Sequence, residues 1–143
     1  MTPFPPPEQL LPHAGPAVLI DEILSNSDTM VRVSAHITPQ HPFFVAGRGV
    51  PAWVGIEIMA QAIAAHAGLT GQREGRPPRQ GMLLGSRRYH ASTPWFADGD
   101  LLTITAQTAF GHEGGMAACD SRIENANGLL AEATIIIVEG EIA

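Results

Sequence analysis

The sequence predicts an α+β fold in which a curved antiparallel β-sheet wraps around one long central helix. Three observations carry this. Residues 52–69 hold the long helical pattern, and apolar side chains surround most of its circumference, so the helix must be buried rather than lie on a surface. Two strand-like runs precede it and four follow it, several with the period-two alternation of a half-buried strand. The length of 143 residues suits a single domain, 1–143, with a proper core.

Taken in order, residues 17–24 (AVLIDEIL) read as the first strand and 29–37 (TMVRVSAHI) as the second. In the second, Val31, Val33, Ala35 and Ile37 alternate with Arg32, Ser34 and His36. The SNSD between the two strands is turn chemistry and predicts a hairpin. The Pro-rich TPQHP is a loop. Pro51 stands just before or at the first turn of the helix, where a missing N–H is harmless. Gly68 and Gly71 supply stop signals. The many alanines in between favour close approach of neighbouring backbone. GQREGRPPRQG then reads as a loop, followed by strands at 81–90 and 101–109 on either side of an ADGD turn. Residues 115–124 and 129–138 form the last pair, joined by the hairpin signal NANG.

Composition narrows the functional classes. No run reaches the roughly 18 uninterrupted apolar residues of a membrane span, because Glu57, Gln61 and His66 break the best candidate, so no membrane insertion is expected. The N-terminal MTPFPPPEQLLPH lacks the basic and apolar regions of a signal peptide. A lone cysteine, Cys119, offers neither a disulfide framework nor a metal cluster, and a reducing cytoplasm is the expected home. A net charge of −6 argues against a general nucleic-acid binder. All eight basic residues are arginines, and Arg73, Arg76, Arg79, Arg87 and Arg88 cluster. That cluster is either a solvated loop or a patch for an acidic or phosphorylated partner, since guanidinium binds such groups in a bidentate way. The absence of lysine excludes Schiff-base chemistry by the chain itself.

Glu57 stands out as the one carboxylate in the apolar stretch GVPAWVGIEIMAQAIAAHAGL. It falls within the first two turns of the helix, near the positive end of the macrodipole. One reading is a carboxylate that stabilises the helix from water. The other is a buried group whose pKa is raised for acid or base work. Gln61, one turn later on the same side, is placed to orient it. His66 should face elsewhere. Trp53, Trp95, Phe43 and Phe44 either line a ligand tunnel or fill the core. Cys119 reads as a small buried hydrophobe.

LPHAGPAVLIDEIL at 11–24 together with VGIEIMAQAIAA at 54–65 resembles the hot-dog-fold β-hydroxyacyl-[acyl carrier protein] dehydratases of the FabZ/FabA type. With GMLLGSRRYHA added, the chain looks most like the ApeP-like branch associated with aryl polyene synthesis. The resemblance implies elimination of water from a 3-hydroxyacyl thioester on acyl carrier protein or CoA, without a cofactor. It matches Glu57 to the helix acid and Gly55 to the glycine whose N–H polarises the thioester carbonyl. It also implies a homodimer or a heterodimer with another hot-dog protein, with Arg87 and Arg88 among the contacts to an acidic carrier protein. On this likeness Trp53, Phe44 and Gln61 join Gly55 as substrate-binding candidates.

One departure matters. The family carries its histidine in an H-F-P-G stretch fourteen positions before the acid, and that place is held here by Phe43. His41, slightly further upstream, is the candidate base in its stead, while His13 of the LPH reads as structural. The departure keeps two alternatives open: a thioesterase in which Glu57 activates water, and a non-catalytic acyl-binding subunit of a hot-dog heterodimer.

Overall fold

In a computed structural model, residues 4–11, 15–75, 80–110 and 116–140 are described, with residues 80–85, 87, 109–110, 116–117 and 139–140 described by backbone alone. Six strands form one sheet: β1 (Glu22–Asn26), β2 (Met30–His36), β4 (Gln80–Ala91), β6 (Leu101–Phe110), β7 (Met116–Asn125) and β8 (Gly128–Gly140). Their order is β1-β2-β6-β7-β8-β4, antiparallel throughout. Helix α1 (Gly55–Arg73) lies against β2, β4, β6, β7 and β8, entered through a 3₁₀ turn at Ala52–Val54. This is the α+β layout that the strand and helix patterns predict.

The register explains the burial of α1. Val33, Ile104, Ile123 and Ala131 stand in one cross-strand row, and all four are buried. Val31 and Ala106 continue the inner face, which meets Ile58, Met59, Ala62 and Leu69 of α1 in one core. Arg32 and Arg122, offset by one residue from that row, are exposed on the opposite face, as a period of two requires. The stretch Ala52–Arg73 has the length and apolar character of a membrane span, yet most of it is buried inside the protein.

Two expectations need correction. The first strand begins at Glu22, not residue 17, because the backbone of 17–19 is bonded elsewhere: Leu19 N–H donates to Gln61 Oε1 (2.7 Å) and Ala17 C=O accepts from Gln61 Nε2 (2.6 Å). Chain bonded to a helix side chain cannot also join the ladder. Likewise, α1 does not stop at Gly68 or Gly71 but runs through both to Arg73. Gly68 is there for packing. The N-terminal strap crosses the helix at that point, so a Cβ on Gly68 would lie 2.6 Å from the Leu10 carbonyl oxygen.

The sequence also hides a second, two-stranded sheet, β3 (Val50–Pro51) with β5 (Trp95–Phe96). Strands this short carry no readable period. Ala52 N–H donates to Pro94 C=O (3.0 Å) immediately beyond, and this small sheet fixes where the 3₁₀ turn and the helix begin.

Replacing Gly68 with alanine tests the strap. Alanine favours a helix interior by about 1 kcal/mol over glycine, but here its methyl meets backbone. Over-packing of that kind costs about 1–3 kcal/mol, so Gly68→Ala should lower stability in urea unfolding; a rise would show that the strap is not seated there.

Candidate active site at the start of the central helix

Glu57 lies in the first turn of α1 and is half-buried. Four residues on, Gln61 is 1 % exposed and satisfies its amide in three directions. Besides Leu19 and Ala17, its Nε2 reaches Glu57 Oε1 at 3.4 Å. The one-turn spacing seen in the sequence therefore does bring the two side chains together. Gln61 joins the carboxylate to the strap that closes the open side of the helix.

Beneath Glu57, Gly55 is forced by contact. A Cβ there would collide with the Tyr89 hydroxyl and press on Ile123 and Phe96. Tyr89, from β4, donates its hydroxyl to the Ala52 carbonyl in the 3₁₀ turn. The Gly55 N–H donates to the same carbonyl. In this structure the Gly55 amide thus points into the turn, not out of the helix. Tyr89 was not singled out in the sequence, although it is the chain's one tyrosine and ends the GSRRY string. Burial pushes its hydroxyl up to about 12.

His41 sits in the loop before β3. Its backbone N–H donates to Thr38 C=O and its C=O accepts from Phe44 N–H, both at 3.0 Å. Its Nδ1 accepts from the Phe43 N–H (3.1 Å), and its Nε2 is buried with no hydrogen-bond partner. Burial pushes the imidazole below its usual range, partly offset by the Asp21 carboxylate. His41 therefore makes no hydrogen bond to Glu57 within the protomer. Rings link it to the helix start: Phe43 lies 6.1 Å from His41, and its ring meets Trp53 edge-on at 5.5 Å.

Trp53 is 60 % exposed and is no part of the core; Phe43, whose ring meets it, and Val45 are also exposed. Phe44 is half-buried and packs on the core. Trp95 carries Arg48 over its ring at 5.6 Å. His66 faces away from Glu57 as expected, bonding Asn26 Oδ1 (2.6 Å) and the Asp28 carbonyl (3.2 Å). Cys119 is buried. The arginine cluster divides. Arg73 pairs with Asp28 at 3.6 Å on the surface, and Arg88 is exposed at a bulge in β4, with a left-handed φ of 58°. Arg76, Arg79, His13 and the Arg87 side chain lie outside the described residues. Among the described residues, no three His, Cys, Asp or Glu side chains are grouped to hold a metal ion.

The profile of the ApeP-like family, described as ApeP dehydratase, matches residues 5–142. No curated protein matches by sequence. Among solved structures, the dehydratase heterocomplex ApeI:P from Xenorhabdus doucetiae superposes with a TM-score of 0.90 at 25 % identity, covering 96 % of this chain and 93 % of that one. A hypothetical thioesterase with coenzyme A from Streptococcus pneumoniae TIGR4 superposes at 0.65 and 16 % identity, covering 84 % and 85 %. The PaaI protein of E. coli, from a phenylacetic acid degradation operon, gives 0.62 at 18 % identity, covering 82 % and 81 %. The architecture is the hot-dog fold.

The chain has one tyrosine, so tyrosinate absorbance reports Tyr89 alone. A phenol whose folded pKa is raised contributes stability that is complete below pH 10 and is lost as pH rises through about 12, because the unfolded chain ionises first. Tyrosinate absorbance should therefore develop late, and the alkaline loss of stability should shrink in Tyr89→Phe. Ordinary titration near 10 would remove the buried hydroxyl from the turn. A second variant addresses the strap: Gln61→Leu strands the Leu19 N–H and Ala17 C=O and should cost about 2–4 kcal/mol in denaturant.

Proposed function

The chain belongs to the ApeP-like dehydratase family, and from that premise we propose that it removes water from 3-hydroxyacyl thioesters, with Glu57 as the proton-transferring group. The observation that carries the assignment is Glu57 itself: a half-buried carboxylate in the first turn of the core helix, bonded by Gln61, at the position that the family gives its acid. In the reaction the α-proton leaves, its electron pair forms the Cα=Cβ bond, and the β-hydroxyl departs with a proton as water. Helix N-termini favour the negative charge that develops on the thioester oxygen.

The proposal extends to a second hot-dog protomer, identical or different. β4 pairs with β8 on one side, and no described strand covers its other edge. Long open edges invite pairing with another chain. The ApeI:P neighbour is itself a heterocomplex, which supports this arrangement. Arg88, exposed on β4, and Arg87 beside it are the proposed contacts for an acidic acyl carrier protein, and Trp53 and Phe44 for the acyl group.

The test is direct. Incubated with a 3-hydroxyacyl thioester on acyl carrier protein or CoA, the protein should form enoyl product, and Glu57→Gln should lower the rate by about 10²–10⁴-fold, the range for a lost general acid or base. Release of free thiol in place of enoyl product would make it a thioesterase. Activity that appears only with a second hot-dog protein, and is unaffected by Glu57→Gln, would assign it the supporting role.

A further inference from the structure

We propose that His41 is not the base of this site: the Phe43 amide holds it as the Nε2–H tautomer, a hydrogen-bond donor for an oxygen of the acyl thioester, and Glu57 performs both proton transfers. This deepens the dehydratase reading and rests on it.

The argument begins with the backbone. An amide N–H can only donate, so Nδ1 of His41, 3.1 Å from the Phe43 nitrogen, must be the acceptor and carry no proton. A neutral imidazole then has its hydrogen on Nε2. A base needs the reverse, a lone pair on the nitrogen that meets the substrate. The second bond of the ring thus selects its chemistry, as the other ring nitrogen generally does for histidine.

Every other polar atom of His41 is bonded within the loop, through Thr38 and Phe44 on its main chain and Phe43 on its ring. Only Nε2 is buried without a partner. Such a donor costs about 1–3 kcal/mol, and native proteins keep few. Among the described residues none supplies its acceptor, which leaves that place for an incoming oxygen. The loop is joined to the helix start by the ring contacts of Phe43 with His41 and Trp53. A 3-hydroxyacyl thioester brings two acceptor oxygens, the carbonyl and the β-hydroxyl.

The proton balance closes without His41. The Glu57 carboxylate takes the α-proton as the thioester carbonyl becomes an enolate, whose charge an Nε2–H stabilises. The enolate collapses, the Cα=Cβ bond forms and the Cβ–O bond breaks. Glu57 returns its proton to the departing hydroxyl, leaving water, enoyl thioester and a regenerated carboxylate. One carboxylate can act twice where the α-proton and the β-hydroxyl leave from one face.

Three substitutions separate the roles, since the Gln amide nitrogen mimics Nε2–H while the Asn amide oxygen mimics the Nδ1 acceptor. With 3-hydroxyacyl thioester as substrate, and the hot-dog partner present if the wild type requires it, His41→Ala and His41→Asn should each lower kcat on the order of 100-fold, as loss of one oxyanion donor does. His41→Gln should stay within about tenfold of wild type. Loss in Gln equal to that in Ala would make His41 the base and overturn the proposal. Rescue by Asn instead of Gln would reduce His41 to a support of its loop. Long-range nitrogen–proton NMR on the wild type needs neither substrate nor variants: it should show protonated Nε2 and bare Nδ1, and the opposite tautomer would sink the idea. A wild type that forms no enoyl product under any of these conditions defeats the dehydratase reading, while the NMR result still decides the tautomer.

Discussion

The structure depends on how a helix buried on nearly every side handles its few polar atoms. Gln61 sits where no water reaches and would cost several kcal/mol if its amide were unmatched. It is matched by backbone 42 and 44 residues away in sequence, at Leu19 and Ala17. Those two bonds lay the N-terminal strap along the side of α1 that the sheet does not cover. Seven residues further along the helix, Gly68 lets the same strap approach at Leu10. A heptad step nearly repeats the helix face, so Gln61 and Gly68 lie on one stripe, met by Ala17 and Leu19 at one point and by Leu10 at the other.

Glu57 extends that stripe by one more turn. Its position is thereby tied to the seating of the strap, through the Gln61 amide that bonds both. From the opposite side, Tyr89 fastens the Ala52 carbonyl and fills the space that a side chain at position 55 would need. The first turn of α1 is thus held by a side chain of the sheet on one face and by a loop on the other. This is the rigidity that the proposed proton transfer by Glu57 needs, because small displacements at a reacting centre lower rates steeply.

Much of the fold was legible because it is written in periods. The alternation of Val31, Val33 and Ala35, or of Leu102, Ile104 and Ala106, can only mean strands with one buried face. Glu57 and Gln61 were legible because polar residues in an apolar helix are few. What escaped depends on contacts remote in sequence. Residues 17–19 look like strand, and the distant Gln61 explains why they are not. Gly68 and Gly71 look like stops until the strap is in view. Tyr89 passed as one residue of a strand, since nothing local marks the Ala52 carbonyl as its acceptor. The tautomer of His41 turns on a single amide two residues along the loop, a geometry that no spacing rule contains.

His41 also explains how a site can resemble a family's and still lack its histidine. Phe43 stands where the family's histidine stands, and its side chain turns toward Trp53 while its amide turns toward His41. One residue thus gives a ring to the surface and a hydrogen to the imidazole. At position 41 the partner of Nδ1 is a donor, which leaves the proton of a neutral ring on Nε2. With the ring in that form, the base of the proposed reaction is the carboxylate, which the helix and Gln61 hold in place.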